Sequence, residues 1–221
     1  MILIKYRQMV IKHISLAHAG GFYFYRLHNQ KIDSLCKKFI RLKEYLNNVF
    51  DNCPNEYFQG GPRSSKLKFK INTNLIEIQG HEISNLAGYG LENNERYNTA
   101  HSKVQVFMLE NDNSTIGVEV PIWLEPKELN NFKELFKEEH PLTGHIDVLR
   151  VDNDKIWVWD YKPNANKEEF ACTQVYFYAL MLSKRTGIDL NNFRCGYFDD
   201  KYAFVFRPEE IKLGKSGKLI F

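Results

Sequence analysis

No stretch of this sequence approaches the ~18 consecutive apolar residues that a bilayer crossing requires. The opening Met1-Ile2-Leu3-Ile4 is cut short by Lys5, Arg7 and Lys12, and no leader-peptide core follows it. Cysteine is scarce: Cys36, Cys53, Cys172 and Cys195 form no C-x-x-C pair and stand in no secretory context, so free thiols in a reducing compartment are expected. Internal repeats and low-complexity tracts are missing, and so is the Gly-x-x-x-x-Gly-Lys-Ser/Thr loop that would cradle a nucleotide. Together these absences lead us to expect a soluble, intracellular (cytoplasmic) chain with no membrane partner and no ATPase of its own.

What the sequence does have is ordinary globular composition. Its 221 residues are 43% hydrophobic, 26% charged and 14% aromatic, which excludes disorder, collagen and a coiled coil as the main architecture. That length buries enough apolar surface for one large domain, or a core with an appendage, without a disulfide or metal staple. The net charge of +3 is unevenly spread. Residues 1–80 carry 13 Lys/Arg against 5 Asp/Glu, and the remaining 141 carry 17 against 22. A first third at +8 beside a remainder at −5 points to a polyanion partner, although a solvated basic face has the same count.

Apolar residues at Ile32, Leu35, Cys36, Phe39, Leu42, Leu46 and Val49 recur as on one helix face, which predicts a helix over 32–50. Gln59–Ser65 reads as a loop. Lys66–Ile71 alternates lysine with apolar residues and predicts a strand, hairpinned through Asn72-Thr73-Asn74 to a second strand at Leu75–Ile78. Beyond residue 92 the pattern predicts a helix over 93–110, a strand Ile116–Trp123 and a short helix Lys127–Glu139. Strands Leu142–Val151 and Lys155–Tyr161 follow, then a helix from Lys167 to Arg185 that stops at Gly187, and strands Phe193–Phe198 and Tyr202–Phe206. This order describes an α/β (α+β) sandwich around a mixed sheet. We divide it into a basic N-terminal helical and hairpin region, 1–92, and a core, 93–221.

The chemistry concentrates on the two strands at 142–161. If Asn153-Asp154 form the tip of their hairpin, Asp147 and Asp160 oppose each other with Cβ atoms ~5 Å apart, where like charges repel unless compensated. A divalent cation is the usual compensator, since Mg²⁺ and Mn²⁺ prefer carboxylate oxygens. Asp160 and Lys162 share a strand face, so an ammonium would stand at the same site and could orient water or neutralise charge on a phosphate. A solvated surface hairpin has the same composition, and a register slipped by one would part the two acids.

Gly144-His145-Ile146-Asp147, then Asp160-Tyr161-Lys162, then Gln174-x-x-x-Tyr178 resembles the PD-(D/E)XK phosphodiesterase superfamily. More narrowly, it is similar to the RecB-type and CRISPR-adaptation nucleases. The likeness covers roughly residues 95–207 and implies a restriction-endonuclease-like core, a mixed central sheet flanked by helices, here with a basic N-terminal extension. It implies that Asp147 and Asp160 hold Mg²⁺ or Mn²⁺, with the Tyr161 carbonyl as an extra ligand, and that Lys162 serves the water or the transition state. Gln174 and Tyr178, at i and i+4 on one helix, would reach the same cleft. It also implies His101 as a metal ligand and Glu119 as a second acid, with Glu95 a weaker candidate for a helix-borne acid. The CRISPR-adaptation relatives tie an iron–sulfur cluster with a late cysteine trio. Only Cys195 lies in the last fifth here, so no cluster is expected. Any helicase or recombination partner would be a separate chain.

The resemblance and the charge together imply a divalent-metal-dependent DNA nuclease, with Arg63, Lys66, Lys68 and Lys70 gripping the nucleic acid. The rival is a non-cleaving nucleic-acid-binding member of the same fold serving a larger assembly. A binding module needs no opposed carboxylates facing an anionic ligand, and that argues against it. A hydrolase of small phosphoesters is disfavoured by the +8 segment.

Overall fold

The computed structural model describes residues 10–93 and 95–213; the reading of residues 1–7 lies outside them. In chain order the elements are β1 (Ile11–His18), β2 (Gly21–His28), α1 (Asn29–Leu35), α2 (Ile40–Asp51), β3 (Ile76–Gln79), α3 (Glu82–Asn93) and α4 (Ala100–Asn111). They continue with β4 (Thr115–Leu124), α5 (Phe132–Phe136), β5 (Leu142–Asp152), β6 (Lys155–Tyr161), α6 (Ala171–Thr186), β7 (Phe193–Phe198) and β8 (Tyr202–Phe206). All eight strands form one sheet in the order β1-β2-β4-β5-β6-β7-β8-β3. Among the described strands only β6 and β7 pair in parallel, and α6 makes the crossover between them. The mixed α/β sheet and its helices are as the residues and the resemblance imply.

Strand alternation sorts the core onto two sides. Ile156 and Val158 of β6 join Leu42, Leu46, Val49, Val175, Phe177 and Met181 from α2 and α6. Trp159 and Tyr161, one residue out of phase, join Ile83, Ala87, Val104, Met108 and Leu109 from α3 and α4. At ~1.5–3 kcal/mol for each fully buried large apolar side chain, these two clusters hold the helices on the sheet. Among the described residues no helix is long and apolar enough to cross a membrane.

Several elements differ from expectation, each for a local reason. The stripe from Ile32 to Val49 is buried at Ile32, Cys36, Phe39, Leu42, Leu46 and Val49, but two helices carry it, broken at 36–39. The helix expected over 93–110 starts only at Ala100, where the Thr99 hydroxyl caps it by accepting the Ser102 N–H at 3.1 Å. Ahead of it stands α3, which Gly88 and Gly90 disguise by their poor helix propensity. The 127–139 helix is a 3-10 turn, Pro126–Glu128, and the short α5, parted by Leu129-Asn130-Asn131. Helix α6 begins four residues late, because Ala165–Lys167 makes a 3-10 turn anchored by the Ala165 N–H on Asp199 Oδ2 at 2.8 Å.

The hairpin expected over 66–78 is absent. Residues 67–75 form no strand or helix, and their alternation remains: Leu67, Phe69 and Ile71 turn inward while Lys66, Lys68 and Lys70 are exposed. The Thr173 hydroxyl of α6 donates to the Phe69 carbonyl at 2.5 Å, so this segment packs on a helix instead of a strand. The second half of the supposed hairpin, β3, pairs instead with β8. The hairpin β1–β2 has no counterpart in the expected element list. Strands from the first 80 residues thus form both edges of the sheet, and sheet and core alike run across the 92/93 boundary.

Candidate active site

The β5–β6 hairpin closes on a two-residue turn, Asn153-Asp154, with φ of 49° and 56°. Both residue types tolerate this left-handed pair, which matches strand twist. The ladder runs from Asp152↔Lys155 to Val148↔Trp159. That is the register that aims Asp147 at Asp160, and there the strands part. The Asp147 carboxylate fills the gap, with Oδ2 accepting the Tyr161 N–H at 2.9 Å. On its other side, Asp147 lies between the pairs Val118↔Val148 and Val120↔Ile146, which brings Glu119 of β4 across from it. Three carboxylates from three adjacent strands, Glu119, Asp147 and Asp160, therefore line one pocket of about 220 Å³.

Their surroundings hold them in place. Gln174 is the hub: its Nε2 donates to Asp160 Oδ1 at 3.0 Å and to the Tyr178 hydroxyl at 2.8 Å, and its Oε1 accepts from Lys162 Nζ at 3.0 Å. Lys162 Nζ also stands 2.7 Å from Asp160 Oδ2 as an ion pair. Gln105 of α4 donates to Glu119 Oε1 at 2.7 Å. His101, on the first turn of α4, places Nε2 3.7 Å from Asp147 Oδ2 and sets its ring edge-on to Tyr161 at 5.1 Å. Gly144 is required by packing, because a Cβ there would lie 2.4 Å from the Tyr178 ring.

The electrostatics follow from burying acids together. Asp160 is 1% exposed and Asp147 8%. Burial, with the negative charges of Asp160 and Glu119, pushes Asp147 well above the ordinary aspartate range. Burial pushes Glu119 up to about 7, Asp160 adds to this, and the bond from Gln105 opposes it. Burial alone would lower Lys162, but the Asp160 and Asp147 carboxylates outweigh it and hold the ammonium above its usual value. Burial lowers His101 toward the neutral imidazole. Three crowded acids, one with an oxygen met only by the Lys162 ammonium, and a neutral imidazole form a donor set suited to a divalent cation. Among the described residues no three His, Cys, Asp or Glu side chains close around a single point, and Lys162 and Gln174 lie against Asp160.

The structure thus brings together His101, Glu119, Asp147, Asp160, Lys162, Gln174 and Tyr178, with Tyr161 alongside. Glu95 is exposed in a turn outside α4. Of the expected nucleic-acid contacts, Arg63 reaches the pocket wall, while its guanidinium donates to the Ala19 carbonyl and the Tyr23 hydroxyl. Lys66, Lys68 and Lys70 do not line the pocket. The wall holds residues that sequence reasoning missed. Tyr23 stacks on His145 at 3.8 Å, and His145 Nε2 stands 2.8 Å from His18 Nδ1, whose Nε2 meets Asn55 Oδ1 at 2.9 Å. Gly20-Gly21 signals the hairpin, but nothing local signals the contact of Tyr23 with His145.

Comparison with known families matches residues 27–213 to the model of the PD-(D/E)XK nuclease superfamily. That span takes in α1 to α3 as well as the motif-bearing strands. No curated protein and no solved structure matches the chain.

Proposed function

We propose that this chain, which belongs to the PD-(D/E)XK nuclease superfamily, is a divalent-metal-dependent nuclease that hydrolyses phosphodiester bonds in DNA. The observation that carries the reading is the row of Glu119, Asp147 and Asp160 in one pocket beside Lys162. Members of the superfamily use divalent metals such as Mg²⁺, and here Asp147 and Asp160 would hold the ion, with Glu119, His101 and the Tyr161 carbonyl as further ligands. Such an ion polarises the phosphoryl oxygens and acidifies bound water near neutral pH.

The chain's own residues do the rest. Lys162 offers its ammonium to charge growing on the phosphate, at a depth where solvent screens it little. Gln174 positions that ammonium and Asp160 together, and Tyr178 fixes Gln174 from the turn below. The neutral imidazole of His101 leaves it free to donate a lone pair.

The test is digestion of linear and circular DNA, single- and double-stranded, in Mn²⁺ and in EDTA. Wild type should cut only with the cation. Asp160→Asn should abolish cutting, and Lys162→Ala should slow it ~10²-fold while DNA binding persists, the scale of one lost transition-state stabiliser. Cutting by wild type in EDTA, or by Asp160→Asn at the wild-type rate, would overturn the assignment.

A further inference from the structure

The hairpin that walls the pocket carries four consecutive aromatics, Phe22, Tyr23, Phe24 and the buried Tyr25. Tyr23 turns inward and lines the pocket. Phe22 and Phe24 point the opposite way by the two-residue strand period and are 73% and 45% exposed. Arg26, next in that row, places its guanidinium 5.2 Å from the Phe24 ring centre and 5.8 Å from that of Tyr97. Phe24, Arg26, His13 and Tyr97 line a groove of about 360 Å³. The acid in that groove, Glu110, is paired with Arg96 at 2.8 Å.

This tip is fastened in place. The Ala19 N–H donates to the Phe58 carbonyl at 2.8 Å, and Gln59 Nε2 donates to the Ala17 carbonyl at 2.8 Å. Arg63 bonds both the Ala19 carbonyl and the Tyr23 hydroxyl. Gly20 takes φ of 98°, and a Cβ there would lie 2.7 Å from Arg63 Nη1, so the turn closes tightly over the guanidinium. The His18 ring stacks on Phe58 at 4.1 Å. A backbone held this firmly presents Phe22 and Phe24 from a fixed position, which lowers the cost of ordering the tip when something stacks on it.

Aromatic faces interleaved with guanidinium groups suit unpaired nucleotides, whose bases stack while their phosphates seek cations. Bases inside a duplex cannot offer their faces. A second copy of the chain is a poorer occupant, because it would cover the Arg26 guanidinium without bringing the phosphate that a nucleic-acid strand carries. We infer that the β1–β2 hairpin is a stacking platform for single-stranded DNA, Phe22 and Phe24 each receiving a base on one face of the hairpin while Tyr23 walls the pocket on the other. This rests on the reading of that pocket as a phosphodiester site.

The test measures binding of labelled oligothymidylate and of a blunt duplex to the full chain in Ca²⁺, on an Asp160→Asn background so that nothing is cut. Phe22→Ala/Phe24→Ala should lose at least about 10-fold in single-strand affinity, the scale of two base–aromatic stacks. Duplex affinity and the salt dependence should stay unchanged, and Phe22→Trp/Phe24→Trp should bind the single strand as well as the parent. An equal loss for both DNAs, or none for either, would overturn the platform. So would a dimer in sedimentation that the Ala pair dissolves while single-strand affinity holds. Wild-type cleavage in Mn²⁺ is scored separately. Cleavage with unaltered oligothymidylate binding by the Ala pair sinks the platform alone. Selective single-strand loss without wild-type cleavage sinks the nuclease reading alone.

Discussion

Glu119 shows how one residue can be legible in kind but not in state. It sits mid-strand with φ of 52°, a conformation that costs a non-glycine residue on the order of 1–3 kcal/mol. Resemblance pointed to an acid at this position, but only the fold sets it beside Asp147, and that neighbour and its burial fix its proton. With a folded pKa of about 7, above the 4.5 of an ordinary glutamate, the metal-free folded chain binds this proton more tightly than the unfolded chain. Stability from this group is therefore full below about pH 4.5 and declines as pH rises toward 7. Glu119→Gln cannot ionise and keeps an acceptor for Gln105. In EDTA its unfolding free energy relative to wild type should climb between pH 5 and 8, on the order of 3 kcal/mol at ~1.4 kcal/mol per pKa unit. The histidines shifted downward act in the opposite direction but are common to both proteins. A difference that stays constant over that range would contradict the crowded-acid account. Asp147, Asp160 and Lys162 were legible because hairpin register and strand period bring them together, whereas Gln174 and Tyr178 were legible only through the family resemblance. Tyr23 and His145 were not, because their contact joins β2 to β5 over more than 120 residues.

At the scale of elements, the β5–β6 hairpin and the Lys66–Ile71 segment form an instructive pair. Both alternate with period two, and only the first is a strand. The hairpin had a turn of the right length and chemistry at Asn153-Asp154, so its register could be counted from sequence. The lysine segment had Asn72-Thr73-Asn74 and no partner edge within reach. Its apolar side went to α6, and the open ladder of β8 went to β3. Alternation reports which side is buried, not what buries it. The exposure of Lys66, Lys68 and Lys70 is nevertheless as read, and we propose that they hold phosphates. Changing all three to Gln should flatten the slope of log affinity against log salt for duplex DNA by about two to three units, at ~0.9 per phosphate contact, with base preference unchanged. An unaltered slope in that titration would remove the segment from the DNA-binding surface.

Across the whole molecule, the charge asymmetry suggested a basic appendage on an acidic core, and the sheet is built otherwise. Strands from the basic third form both its edges, and the β1–β2 hairpin supplies a wall of the pocket whose acids come from the other two-thirds. Composition can count charges along the chain, but the crossing of β2 to pair with β4 is a long-range event that no local pattern records. The basic third is thereby placed next to the acids, as a phosphate-bearing substrate and a cation bound together would require. The central claim is that Glu119, Asp147 and Asp160 are crowded because they share a cation. Calorimetric titration of Mn²⁺ into the wild-type chain and into Asp147→Asn tests it without any substrate. Asparagine keeps an acceptor for the Tyr161 N–H, so the variant should fold. Wild type should bind Mn²⁺ with release of heat or protons, and the variant should bind at least about 10-fold more weakly, a difference of ~1.4 kcal/mol. Equal affinities, or no binding by wild type, would contradict it.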